Sequence, residues 1–142
     1  MKLNKEQIKE YLPHREPMLL IDSTESIDEN HVKSWLHING DEYFLQGHFP
    51  GYPVVPGVIL CEVMAQSCVM LLGEGLKGRT PLYAGLDKVK FKRQVRPGDT
   101  IEVTAQRLAV RGPLHIMSAE AKVEGQLAAK AEMTFFLQDN LK

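Results

Sequence analysis

The 142-residue chain is 44% hydrophobic and 25% charged, the balance of a globular domain rather than of a disordered or fibrous chain. Its net charge of −1 gives no whole-molecule attraction to nucleic acid or to an anionic membrane surface. At this length a single domain over residues 1–142 is expected, and the polar start MKLNKEQIKEYL lacks the apolar core of a secretory signal, so a cytoplasmic location is expected.

In chain order, Asn4 can cap a short helix over Asn4–Tyr11, with Gln7 at the capping-box position and Pro13 closing it. Strands are expected over Met18–Ser23 and His31–Ile38, with Asp28-Glu29-Asn30 as the turn between them. Three prolines and three glycines between Gly47 and Gly57 make Asp41–Pro56 mostly loop. Gly57 to about Gly73 reads as a long central helix, entered through Pro56 and apolar almost all round, so it has to be covered on most sides. Its most apolar part, Gly57–Leu72, would rise only about 24 Å and carries Glu62 and Gln66, which suits a core helix better than a membrane span.

Four more strands are expected over Leu82–Phe91, Thr100–Arg111, Leu114–Val123 and Gln126–Leu137. The separators Arg96-Pro97-Gly98-Asp99, Gly112-Pro113 and Glu124-Gly125 are hairpin signals. The expected fold is therefore α+β, an antiparallel sheet of about six strands wrapped around the helix. Ala128–Phe136 is the weakest strand assignment because it is rich in helix formers. Cys61 and Cys68 rise about 10 Å apart on one helix, too far to bridge, and read as packing residues. No Cys/His spacing suggests zinc, and no metal is expected.

The chemistry concentrates between Gly47 and Gln66. His48 lies in a stiffened loop and titrates near neutral pH, while Glu62 lies inside an apolar helix where burial is expected to raise its pKa. Together they make a candidate general base and general acid. Gln66, one turn beyond Glu62, can orient the carboxyl group, and Val58, Ala65 and Val69 share that face. The first N–H groups of the helix lack intrahelical partners, and Gly57 has no side chain to block a carbonyl. They suit a developing oxyanion such as a thioester enolate. His14, His31, His37 and His115 carry no comparable argument, and Trp35 reads as core.

The segment GHFPGYPVVPGVILCEVMAQ at 47–66 closely resembles the signature of the β-hydroxyacyl-acyl-carrier-protein dehydratases of type II fatty acid synthesis. The likeness extends to LPHREPMLLID at 12–22 and to AGLDKVKFKRQVRPGD at 84–99, in the same order. The resemblance implies the hot-dog fold, in which a sheet wraps a central helix. It also implies a homodimer or a trimer of dimers with shared sites, His48 and Glu62 coming from different subunits and the Gly57 N–H holding the thioester carbonyl. The implied reaction takes a (3R)-3-hydroxyacyl chain on the phosphopantetheine arm of acyl carrier protein to the trans-2-enoyl thioester, with no metal or organic cofactor.

An acyl chain needs an apolar tunnel, for which Val58, Ile59 and Met64, with Phe49 and Tyr52 near the mouth, are candidates. Lys88, Lys90 and Lys92 alternate with Val89 and Phe91, which puts the lysines on one face of a strand, and Arg93 and Arg96 follow. Such a patch suits an acidic carrier protein or its phosphate. Within the enzymes, isomerisation to the cis-3 product and thioester hydrolysis are the alternatives. A carrier-binding module without catalysis is disfavoured by the presence of both His48 and Glu62. Cys61-Glu62-Val63-Met64-Ala65 is bulkier than the family pattern and Cys68 is unusual in it, which leaves chain-length preference open.

Overall fold

Alternating apolar residues and short Gly-containing turns build one sheet around one helix. The computed structural model describes residues 2–140. Its elements are β1 (Lys2–Asn4), α1 (Lys5–Ile8), β2 (Ser23–Asp28), β3 (His31–His37), α2 (Gly57–Val69), β4 (Arg79–Phe91), β5 (Thr100–Arg111), β6 (Leu114–Val123) and β7 (Gln126–Asp139). The sheet runs β1-β2-β3-β5-β6-β7-β4, with every neighbouring pair antiparallel. It has one strand more than the sequence suggested, because β1 is too short to show a period.

The sheet curves around α2, which packs on β3, β5, β6 and β7. Small side chains make that approach possible. Ala105 on β5 pairs with Ala119 on β6, which pairs with Ala131 on β7. All three are buried, as are Ala121 and Ala129, so the sheet floor is low where Val63, Met64 and Cys68 press on it. The alanines that made β7 look helical are thus there to admit the helix. The Gly57–Leu76 run is long and apolar enough to cross a membrane, but the sheet takes up its apolarity: Leu60, Val63, Met64, Cys68 and Val69 are at most 2% exposed. Both cysteines are free and buried, and burial pushes the Cys68 thiol up to about 12.

A buried hydroxyl chain ties helix to sheet. Ser67 Oγ donates to Ser34 Oγ at 2.8 Å, and Ser34 Oγ lies 3.0 Å from Thr24 Oγ1. Thr24 in turn donates to the Lys33 carbonyl, so no hydroxyl in the chain is left unpaired.

Three expected elements are corrected. The capping box of Asn4 and Gln7 forms, but α1 ends at Ile8 and continues only as turns. The Met18–Ser23 strand is absent: β2 begins at Ser23, and the preceding backbone bonds to a side chain instead. Gln66 Oε1 accepts from Leu20 N at 2.8 Å and Gln66 Nε2 donates to Met18 O at 2.7 Å, occupying groups that a strand ladder would need. Finally, α2 stops at Val69 and passes into a 3₁₀ segment, Met70–Leu76, broken at Gly73, whose φ of 52° is left-handed.

Candidate active site

Two cavities open along α2, one beside its middle and C-terminal half and one at its start. The first, about 330 Å³, is lined by Glu62, Ala65, Gln66 and Val69 from α2 and by His14, Met18, Pro81, Leu82, Tyr83 and Phe135. The four helix residues are spaced i, i+3, i+4 and i+7, the single face expected from the sequence except that Val58 is not part of it.

Glu62 lies in this mostly apolar wall with a ring of donors around it. Gln66 Nε2 donates to Oε2 at 2.9 Å, and the Tyr83 hydroxyl donates to Oε1 at 3.2 Å. His14 Nε2 lies 3.5 Å from Oε2. Here the expectation of a raised carboxyl pKa is corrected. Burial pushes Glu62 up, but the His14 imidazole, the Gln66 amide and the Tyr83 hydroxyl favour the carboxylate and hold it below its ordinary value. Burial, and after it the same carboxylate, pushes the Tyr83 hydroxyl pKa upward.

The second cavity, about 610 Å³ and more open, is lined by residues including His48, Gly57, Val58, Phe91, Lys92 and Arg93. The loop holds His48 at both ends of its backbone, His48 N donating to Leu45 O and Val54 N to His48 O. Its Nδ1 lies 2.9 Å from the Val54 carbonyl. A carbonyl only accepts, so Nδ1 carries the hydrogen and Nε2 of the neutral ring is left with a lone pair, the tautomer a base requires. The Phe49 ring stacks on the imidazole with centroids 4.3 Å apart.

Pro56 leads into α2 with no side-chain cap, and its carbonyl accepts from Ile59 N and Leu60 N. The N–H groups of Gly57 and Val58 therefore have no helical acceptor. A Cβ at Gly57 would lie 3.0 Å from the Phe91 ring, so the glycine leaves room for the aromatic ring over the helix start.

The structure brings Glu62 to Gln66 and His48 to Gly57, Val58, Lys92 and Arg93. It puts the two pairs in different cavities of one chain. The other candidates divide. Val58 is 76% exposed, and Phe49 and Tyr52 are also exposed, Tyr52 donating to Gln94 Oε1. Met64 is corrected: it is fully buried under the sheet and lines neither cavity, and Ile59, only partly buried, packs against the core and lines neither cavity as well.

The lysine ridge is corrected too. A register shift between Asp87 and Lys90, with Lys88 at φ 51°, breaks the alternation, and Lys88 Nζ pairs with Glu132 at 3.1 Å. Arg93 is occupied by Gln126 and Asp99, and Arg96 lies over the Tyr52 ring at 4.1 Å.

Sequence reasoning missed His14 and Tyr83. His14 falls in the LPHREPMLLID segment, but nothing in its spacing points to Glu62, and Tyr83 is one aromatic on an edge strand. Among the described residues no group of three or more His, Cys, Asp or Glu side chains is placed to hold a metal ion.

The sequence profile of the FabA-like domain family matches residues 12–132. The 3-hydroxyacyl-[acyl-carrier-protein] dehydratase FabZ of Clostridium perfringens (strain SM101 / Type A) is 44% identical over 135 residues, 94% of this chain and 97% of that protein. FabZ of Staphylococcus carnosus (strain TM300) is 46% identical over 136 residues, 94% of each chain. Among solved structures, the dehydratase heterocomplex ApeI:P from Xenorhabdus doucetiae matches with a TM-score of 0.65 at 19% identity, over 80% of this chain and 93% of that one. The E. coli PaaI protein from the phenylacetic acid degradation operon matches at 0.64 and 17% identity, over 80% of each chain. The two structures share the hot-dog fold. With that fold and this extent of identity, the chain belongs to the FabA-like family of 3-hydroxyacyl-[acyl-carrier-protein] dehydratases.

Proposed function

We propose that the protein removes water from a (3R)-3-hydroxyacyl thioester carried on acyl carrier protein, giving the trans-2-enoyl thioester of fatty acid elongation. The observation that carries this reading is the division of labour between the two cavities. One holds a carboxyl group in an apolar wall, and the other holds a base-ready imidazole beside unpaired helix N–H groups. Each is half of an acid–base site, so the complete site needs a second copy of the chain.

The edge strand β4 supports such a homodimer. It is 13 residues long, pairs among the described residues only with β7, and exposes Tyr83, Leu86 and Phe91. An unpaired edge of this length with apolar side chains is a template for another strand. Two β4 strands meeting about a two-fold axis would join the sheets and set one protomer's His48 loop against its partner's Glu62.

In the joined site, His48 Nε2 takes a proton from C2 of the acyl chain, acidified by the thioester carbonyl. The charge that grows on the carbonyl oxygen is met by the N–H at Gly57 and the positive end of α2. Glu62 protonates the C3 hydroxyl, the C–O bond breaks, and water leaves. Exchange with solvent then returns the proton from His48 to Glu62. Cover by the partner and the acyl chain removes water from Glu62 and moves its pKa up from the depressed value, towards the acid form that the step requires. Both proton transfers use side chains, so the reading calls on no metal or organic cofactor.

Lys92, on the rim of the His48 cavity, and the nearby exposed Lys90 are assigned to the acidic carrier or the phosphate of its arm. Reversing both charges (Lys90→Glu with Lys92→Glu) is expected to raise KM for carrier-linked substrate about 10-fold at low salt. A short pantetheine thioester should be turned over as before. Equal effects on both substrates would remove these lysines from docking.

The reaction itself is tested with 3-hydroxydecanoyl-acyl carrier protein and product analysis by mass spectrometry and gas chromatography. Accumulation of trans-2-decenoyl thioester is the expected result. A cis-3 product would add isomerisation, and free 3-hydroxydecanoic acid would replace the proposal with thioester hydrolysis.

A further inference from the structure

We infer that Tyr83 is a positioning residue for the acid step, its hydroxyl holding Glu62 Oε1 and stabilising the carboxylate that forms as the proton leaves. This rests on the reading of Glu62 as general acid and adds to it a group from a different element. Glu62 has two oxygens with unequal surroundings. Oε2 faces the Gln66 amide at 2.9 Å and the His14 imidazole at 3.5 Å. Oε1 faces the Tyr83 hydroxyl at 3.2 Å, which also reaches the Cys61 carbonyl at 3.5 Å.

Oε2 is thus held on the helix side, and Oε1 is left as the oxygen that carries the transferable proton. A hydroxyl beside that oxygen bonds more strongly to the anion than to the acid, so it lowers the barrier to proton release. Tyr83 is suited to this because one face of its ring is packed. It packs tilted against Phe135 with centroids 5.4 Å apart, and both rings line the Glu62 cavity. Its strand, β4, is held in register with β7 through Tyr83↔Phe135.

The titratable groups facing Glu62 are His14 from the segment before β2, Tyr83 from β4 and Cys61 on α2 itself. Of these, only Tyr83 can lose its polar group and keep its shape. Tyr83→Phe keeps the ring and its packing and removes only the donor, so the variant is expected to fold as the parent does. A donor favours the ionised carboxyl group, so its loss raises the Glu62 pKa. The sign of the effect follows: Glu62 becomes a weaker acid, and the pH at which it loses its proton moves up.

The test is steady-state dehydration of 3-hydroxydecanoyl-acyl carrier protein across pH by the parent, Tyr83→Phe and Glu62→Gln. For Tyr83→Phe the expected result is a kcat about 5-fold lower at neutral pH, the rate equivalent of one net hydrogen bond. KM should be unchanged, and the basic limb of the kcat profile, which reports the covered, substrate-bound site, should move to higher pH. An unchanged kcat and profile would overturn the inference, and so would a raised KM with unchanged kcat, which would make Tyr83 a wall of the acyl cavity only. Near-parental turnover by Glu62→Gln would instead overturn the acid assignment beneath it, so the two failures are distinct.

Discussion

His48→Ala and Glu62→Gln are each expected to lower kcat/KM for a 3-hydroxyacyl-carrier substrate by roughly 10²- to 10⁴-fold, the usual contribution of one positioned base or acid. The reason differs for the two. His48 is held by backbone bonds at its own N and O, and by Val54 O on its ring, so alanine removes the base and leaves the loop anchored. Glutamine at 62 keeps the size and much of the hydrogen bonding of Glu62 but has no proton to give at useful acidity. Neither change touches the core, so thermal stability should stay close to that of the parent. A His48→Ala enzyme that dehydrates within a few-fold of the parent rate would remove the imidazole from the chemistry.

The second large effect is on stability. Gln66 is 1% exposed and makes three hydrogen bonds that tie the Met18–Leu20 segment to α2: its amide accepts from Leu20 N and donates to Met18 O and to Glu62 Oε2. Gln66→Leu is nearly isosteric but leaves the buried Leu20 N–H and the part-buried Met18 carbonyl without their partners. At about 1–3 kcal/mol for each orphaned group, the expected loss is about 2–6 kcal/mol in chemical denaturation. Activity should fall as well, because the segment carrying His14 and Met18 is fastened to α2 through this amide. A Gln66→Leu protein as stable as the parent would mean that water replaces the amide, and that the Met18–Asp22 segment does not depend on it.

These residues also show where sequence reading works and where it stops. The bounds of β5 and β6 could be read to the residue, because Pro-Gly and Gly-Pro turns punctuate them and their apolar residues alternate. The face shared by Glu62, Ala65, Gln66 and Val69 was equally legible, since a helix repeat fixes it locally. What failed was long-range. Leu19, Leu20 and Ile21 look like a strand, yet the partner of Leu20 N is a side chain 46 positions away. Of the groups that depress the Glu62 pKa, Gln66 is local, but His14 and Tyr83 are tied to it by no local pattern. The lysine ridge failed for a local reason of another kind, since a bulge at Lys88 interrupts the two-residue period and leaves no trace in composition.

The central claim is that the complete site is assembled from two chains, and mixing inactive variants tests it most directly. His48→Ala and Glu62→Gln proteins, unfolded together in equal amounts and refolded, would form mixed dimers in which one of the two sites keeps both residues. Trans-2-decenoyl thioester should then form at about one quarter of the parental rate, half of the dimers being mixed and half of their sites intact. A mixture no more active than either variant alone, with mixed dimers demonstrated by mass spectrometry, would contradict a shared site and return both groups to a single chain.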